Sequence, residues 1–365
     1  MSKLPRVGII GGGIFGLSTA IHLDSRYDVT IFEQCDDILC GATYANHNRH
    51  HHGFHYPRSP ETALQCLNSA KEFENIYSNS LVWDFDNYYC VSKENSKTSP
   101  EDYISFCDSI GLEYIEKWPN EGVLDRSKIA LCLKVKEAVY SFQYLKSIIE
   151  KRIKKTSTID IRLNSRVLSG TIHGNGNKVI IVDENGLTTE YEFDFVVNAM
   201  YANYNKFCSW FDLELRQFQF NLQELDIIEL PNTKKLGITI QDGPFPSFLP
   251  IGNTNQYFLA HVETSQLIQE ISTGSIPLTQ RLNYLESNWH EIKQSCEEYI
   301  PLLRSAKYIK SIFVDRVVDA TRLHDDARLT DIIDYKNGCW GIFAAKIITC
   351  EKTAKELVTQ IDNCT

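Results

Sequence analysis

The 365-residue chain has no apolar run long enough to cross a bilayer. Its most hydrophobic stretch, Val7 to Leu17, falls short of the roughly 20 residues a span needs and is broken by glycines. Lys3 and Arg6 ahead of it imitate a secretory leader. No small-residue cleavage site follows, however, and Asp24 to Asp28 is polar where processing would occur. Positive charge is also short. Against 47 Asp and Glu there are 37 Lys and Arg, a net charge of −10. That balance argues against nucleic acid as a partner, since phosphates are held chiefly by cations. The eleven cysteines include no CxxC pair, which excludes a zinc ribbon and a thioredoxin-type dithiol. Scattered free thiols fit a reducing compartment, so a cytoplasmic location is expected. Internal repeats and low-complexity tracts are absent.

What remains is a globular composition, 43% hydrophobic and 23% charged, in a chain long enough for two or three structural units. Its clearest feature lies at the start. Val7-Gly8-Ile9-Ile10 reads as a buried strand, and Gly11-Gly12-Gly13-Ile14-Phe15-Gly16 follows at once. Leu17, Ala20, Ile21 and Leu23 then have helical spacing, and a second strand, Asp28 to Phe32, ends at Glu33. This is strand, G-x-G-x-x-G, helix, strand and acid in register. Gly11 permits the tight turn, Gly13 lets backbone approach a pyrophosphate, and Gly16 lets helix and strand pack closely. The helix N-terminus offers N–H groups to phosphates. Glu33 is placed to accept from a ribose diol. Dinucleotide binding follows, but the pattern alone does not separate FAD from NAD.

Further along, Tyr144 to Lys154 reads as a helix and Ile159 to Leu163 as a strand. Arg166 to Leu168, Lys178 to Val182 and Thr189 to Phe193 form an alternating β segment, and Phe195-Val196-Val197-Asn198-Ala199 is another apolar strand. With the fingerprint, this arrangement resembles the D-amino-acid-oxidase superfamily of FAD-dependent oxidoreductases. Within it the chain is most similar to the L-2-hydroxyglutarate and glycerol-3-phosphate dehydrogenase branch. Gly41-Ala42-Thr43 resembles the family loop that contacts the diphosphate. His52-Gly53-Phe54-His55-Tyr56-Pro57-Arg58-Ser59 is similar to the hydroxyglutarate-dehydrogenase segment before a helix. Asp326-Ala327-Arg328-Leu329-Thr330, with a strand near Ile332 to Tyr335 and Gly341 to Lys346 opening a helix, resembles the ending of glycerol-phosphate dehydrogenases.

The resemblance implies that FAD is held by Gly11, Gly13, Ile14, Phe15, Gly16, Glu33, Gln34, Ala42, Thr43, Val167, Ala199, Ala344, Ala345, Lys346 and Ile347. Two departures stand out. The family has Gly after the Asn-Ala, where this chain has Met200-Tyr201, and Gly-Lys before the last helix, where it has Ala345-Lys346. A Cβ at either place narrows the clearance for a flavin.

Asn46 to Tyr56 holds five of the ten histidines. A metal is not expected there: His50 and His52 share a face of an extended chain, but no Cys or acid is spaced in sequence to complete a set. A polar loop with local hydrogen bonds is the plain alternative. The resemblance instead sets this segment along the flavin, making His51, His52 and His55 candidates for the base that takes a hydroxyl proton. An imidazole with a pKa near 6.5 suits that task. Arg49, Tyr56, Tyr257 and Arg328 are the candidates to hold substrate. Arg316 is among several other arginines in or near the matched blocks.

The expected fold is α/β, a Rossmann-like FAD-binding domain interleaved with an α+β substrate domain on an antiparallel sheet. Residues 1–80, 141–204 and 306–365 are assigned to the first, and 81–140 and 205–305 to the second, or cap. Strands are expected at Leu225 to Leu230, Leu236 to Ile240, Phe248 to Ile251 and Tyr257 to His261, with long helices over Thr279 to Ser295 behind. The expected activity is oxidation of a CH–OH group in a small anionic or polyhydroxylated substrate, by hydride transfer to flavin N5. The electron acceptor (oxygen, quinone or a protein) stays open. The alternatives are oxidation of CH–NH and, in another class, a flavin-binding partner module without turnover.

Overall fold

The computed structural model describes residues 3–174, 176–231, 233–274, 279 and 285–364. Strand β1 (Arg6–Ile10), helix α1 (Ile14–Leu23) and strand β2 (Asp28–Phe32) follow one another at the N-terminus. They lie in a six-stranded sheet ordered Asp331–Asp334, Cys339–Phe343, Phe195–Asn198, β1, β2, Ile159–Arg162. All pairs are parallel except the first. Val7, Ile9, Val29, Ile31, Val196 and Val197 are fully buried, as befits parallel strands covered on both faces. One face packs on α1 and the C-terminal helix Cys350–Asp362. The other packs on a three-stranded sheet of Ser165–Ile172, Lys178–Glu184 and Leu187–Phe193. There the ring of Phe193 lies so close over Gly8 that a Cβ would come within 2.9 Å of it.

The second large sheet has nine strands and is antiparallel apart from one pair, Leu236–Gln241 with Asp86–Ser92. Its long central strand, Phe218–Glu229, pairs on one side with Lys307–Asp319. The cut expected at residue 306 therefore fails. Residues 307–319 belong with this sheet, because their backbone donors and acceptors are used along Phe218–Glu229. The strand alternates in chemistry. Phe218, Phe220 and Leu222 enter a core with Phe343 and Tyr204, while Gln219, Asn221 and Gln223 face the opposite way. Behind the sheet the described helix is Trp289–Glu297, packed on Phe248, Tyr257 and Leu259. Of the stretch expected to be helical, Thr279 to Ser295, residues 280–284 lie outside the described residues.

Two local expectations need correction. Gly341 to Phe343 do not open a helix but finish the strand Cys339–Phe343, since their backbone pairs with Phe195–Asn198. The helix begins only at Cys350, after a turn at Ile347–Thr349. Tyr257 is no substrate group. It is buried in the core behind the second sheet, 5.5 Å from the Phe248 ring, because that position of its strand points away from the cavity described below.

A single carboxylate ties the first unit together. Glu351 is fully buried and accepts from Ser18 Oγ at 3.0 Å, Tyr77 Oη at 2.6 Å, Arg152 Nη2 at 3.0 Å and His22 Nε2 at 2.8 Å. These come from α1, from α2 (Pro60–Tyr77) and from the helix Phe142–Ile153. Burial alone would raise the Glu351 pKa, but the bonds from His22 and Arg152 outweigh it and hold the group well below the usual carboxylate range. The resulting stability is fully present above the unfolded value of 4.5 and is lost as pH falls through the depressed folded value. Removing one partner of such a pair strands the other, so Glu351→Ala should cost about 3–5 kcal/mol in denaturant unfolding. The variant's stability should also lose much of the wild type's dependence on pH below that unfolded value.

Candidate active site

Between the two large sheets lies a cavity of about 740 Å³. Its far end is built by the glycine turn. Gly11 has φ +115°, and a Cβ on it would sit 2.5 Å from Ala199 O; one on Gly16 would sit 2.1 Å from Gly11 O. Both glycines are therefore demanded by the chain itself. Gly13 differs: it borders the cavity, and a Cβ there would meet only Thr43 Oγ1, at 3.6 Å. The protein leaves that room unfilled. Ile14 N donates to Thr43 Oγ1 at 3.2 Å, while the N–H groups of Phe15 and Gly16, in the first helical turn, have no intrahelical acceptor. Glu33 accepts from Gly12 N and Cys35 N at 2.8 and 2.9 Å and keeps a second lone pair on each oxygen.

Along the same cavity run Gln34, Ala42, Thr43, Val167, Ala199, Ala344, Ala345, Lys346 and Ile347. Tyr201, which stands where the resembling family has glycine, adopts φ +48°. That strain is offset because its hydroxyl accepts from Val317 N at 3.1 Å. Ala345 is not in the left-handed region, and its N–H donates to Thr330 Oγ1 at 3.0 Å. Neither departure closes the cavity.

The near end is lined by His47, Arg49, His51, His55, Tyr56, Arg316, Arg328 and Lys346. The histidine segment is extended there: His50 N donates to Ala138 O at 3.0 Å and Tyr140 N to Asn48 O at 2.7 Å, around an Arg49–Val139 bridge. The pleat sends His47, Arg49 and His51 to the cavity and His50 and His52 to the other side. His52 is thus not positioned as a base. Its Nε2 meets Glu74 on α2, away from the cavity. His51 and His55 stay beside it, their rings 6.0 Å apart and 5.7 and 5.2 Å from that of Tyr56. His51 Nδ1, His55 Nδ1 and Tyr56 Oη are buried without a protein partner.

Burial, together with nearby cations, keeps these imidazoles uncharged. For His51 and His47 the pKa lies well below 6.5, first through desolvation and then through cations such as Lys346 and Arg316 respectively. The same holds for His55, where Arg49 is the leading cation. Arg49 is itself committed: it binds Tyr89 Oη and, at 2.7 Å, Thr239 Oγ1, with Glu137 at 3.8 Å. Arg328 pairs with Asp326. Arg316 and Lys346 have no carboxylate partner among the described residues, and Arg316 Nε is buried unbonded. Desolvation, aided by Arg328 and Arg316, pulls Lys346 down to about 7, while Cys66 and Asp326 oppose that shift. Its Nζ sits 4.7 Å from the centre of the Tyr56 ring.

Sequence reasoning left His47, Gln219 and Asn221 without a role, and held Arg316 only as one of several arginines that could meet an anion. The signal was available in Phe218-Gln219-Phe220-Asn221-Leu222-Gln223, whose period of two separates a core face from a polar one. Arg316 lies directly opposite Asn221 on the neighbouring strand.

The family described as FAD dependent oxidoreductase (DAO) matches residues 6–209. The chain belongs to this family. It is an FAD-dependent enzyme, and the cavity fits the cofactor: glycine turn, unfilled space at Gly13 and acid at Glu33 lie in one line. Among curated relatives it is 28% identical over 265 residues to the FAD-dependent monooxygenase FPY4 of Fusarium mangiferae, covering 72% of this chain and 65% of that one. It is 25% identical over 276 residues to the FAD-dependent monooxygenase kojA of Aspergillus flavus, covering 70% and 61%. The chain thus spans somewhat under two thirds of these relatives' length. The fold is shared with glycine oxidase from Bacillus cereus, at TM-score 0.73 and 16% identity over 98% of this chain and 97% of that one. It is shared equally with FAD-bound L-α-glycerophosphate oxidase from Mycoplasma pneumoniae, at TM-score 0.73 and 12% identity over 99% and 95%. No described helix is long and apolar enough to cross a membrane.

Gly13→Ala separates chain packing from cofactor space. With φ −74° and ψ 175° the position accepts Ala, so melting of the flavin-free protein should change by no more than about 1 kcal/mol. FAD retention, read from the visible to ultraviolet absorbance ratio after gel filtration, should fall sharply. Gly16→Ala should instead impair folding itself.

Proposed function

We propose that the chain oxidises a CH–OH carbon of a small anionic or polyhydroxylated substrate, a 2-hydroxy acid or polyol derivative. The observation that carries this reading is the pairing, at one end of the cavity, of two cations without carboxylates and a set of unprotonated imidazoles. Bound FAD supplies a hydride acceptor at its N5 atom. Arg316 offers a planar fork for a carboxylate or phosphate, and Lys346 a second, movable charge. A neutral imidazole at His51, with His55 behind it, is ready to take the hydroxyl proton as the carbon loses hydride. The unbonded Tyr56 hydroxyl is placed to orient the same oxygen. Arg49, already bound on three sides, acts by fixing the histidine segment. We assign 1–80, 141–204 and 320–365 to the Rossmann side and 81–140 and 205–319 to the cap, a division supported by the pairing of 307–319 with Phe218–Glu229.

Amine oxidation is the second reading, since solved neighbours of like fold include glycine oxidases and L-amino acid deaminases. An unprotonated amine needs no base, which separates the two. Anaerobic mixing with matched hydroxy and amino acids should bleach the flavin with the hydroxy acid only, and His51→Asn should slow that step about 10²–10⁴-fold. Bleaching by the amino acid that survives His51→Asn overturns the assignment. Bleaching by NADH or NADPH alone would turn the reading towards oxygen insertion, as in the relatives' names. Arg316→Met should raise KM for an anionic substrate about 10–100-fold.

Lys346 sets a pH dependence. It is charged below about 7 and neutral above, so kcat/KM should fall as pH rises through that value. In Lys346→Arg, whose charge is fixed, that alkaline limb should disappear.

A further inference from the structure

The segment that borders the cavity has a back face. His50 and His52 both present Nε2 to one oxygen, Oε1 of Glu74, at 2.9 and 3.2 Å. One ligand atom from each of the three residues lies within 4.8 Å of the other two. Around a tetrahedral ion with bonds of about 2.0–2.1 Å, ligand atoms stand roughly 3.3 Å apart, so only a small spread of these groups admits an ion between them. The acid that sequence spacing did not supply comes from α2, 22 residues beyond His52, because the helix folds back across the extended chain.

We propose that His50, His52 and Glu74 bind one divalent ion of the zinc class. The donors are two imidazole nitrogens and a carboxylate, a set that suits Zn²⁺, Co²⁺ or Ni²⁺ and not the oxygen-seeking Mg²⁺ or Ca²⁺. The rings are held in place before any ion arrives. His50 stacks on Phe73 at 5.4 Å and meets the edge of Trp83 at 6.0 Å, and His52 lies 6.0 Å from the same Trp83. Glu137 fixes the backbone beneath by accepting from His52 N at 2.8 Å. His50 is wholly buried, whereas His52 and Glu74 are half-buried, so the site has a closed floor and an entrance from solvent that leaves room for water as a fourth ligand. An ion here would brace α2 against the strand whose other face carries Arg49 and His51.

The test uses the flavoprotein freed of metal by a chelator and titrated with Zn²⁺ against a chromophoric indicator. One equivalent should bind more tightly than about 0.1 mM and resist excess Mg²⁺. Glu74→Gln and His52→Gln should each weaken it at least about tenfold, with flavin spectrum and circular dichroism unchanged. Crystals soaked in Zn²⁺ should show one anomalous peak between the three side chains, a readout that does not depend on any variant folding. No binding tighter than about 0.1 mM, wild-type affinity retained in both variants, or a peak elsewhere would overturn the site.

Discussion

The functional end of this molecule depends on the register of three residues. Asn48, Arg49 and His50 pair with 138–140, and that pairing decides which histidines see the cavity. A slip of one residue would send His50 and His52 inward and Arg49 and His51 outward. Glu137 guards against it. Its buried carboxylate accepts from Tyr89 Oη at 2.6 Å and from His52 N, and it lies beside the Arg49 guanidinium. Two of those partners, His52 and Arg49, lie on the histidine segment itself and meet Glu137 only in this register. A buried carboxylate stripped of them would be costly, so the same network that stabilises the strand also specifies its alignment.

Comparable economy governs the cofactor end. Gly11 and Gly16 are required by the fold, whereas at Gly13 a Cβ would meet nothing of the chain nearer than Thr43 Oγ1 at 3.6 Å. Tyr201 shows the converse. A non-glycine residue is tolerated at positive φ because its hydroxyl finds a backbone N–H on the strand Lys307–Asp319. That bond links a loop after the parallel sheet to the antiparallel one. The substitution thereby trades backbone freedom for a tie between the two sheets, close to Arg316, the neighbour of Val317 in sequence.

Much of this was legible beforehand where chemistry and spacing coincide within a short window. The turn from β1 through Glu33, the hairpin strands around residue 180 and the antiparallel strands near 225–261 all announce themselves by period and turn residues. The cavity ends were less legible because they are assembled from distant segments. Glu74 meets His50 only through the course of α2, and Arg316, on a strand of one sheet, and Lys346, just past a strand of the other, share only the cavity. Tyr257 misled because a hydroxyl on an expected strand says nothing about which face of that strand it occupies. His52 misled for the same reason, one residue of pleat. Residues 307–319 were grouped with the FAD-binding domain because a strand's sequence does not state its partner.

Charge, finally, makes sense only locally. The chain carries net −10, yet the near end of the cavity gathers Arg49, Arg316, Arg328 and Lys346 around three neutral imidazoles. Two of the four cations are matched by Glu137 and Asp326, so the unmatched charge belongs to Arg316 and Lys346. Arg316 cannot relieve its burial by losing a proton, but Lys346, at about 7, is half-charged at neutrality. An anion seated between them favours the charged lysine and raises its pKa. Binding then draws a proton towards Lys346 and leaves His51 neutral because the added positive charge is spent against the anion's own. On the proposed reading, the basic wall attracts an acid while His51 stays unprotonated.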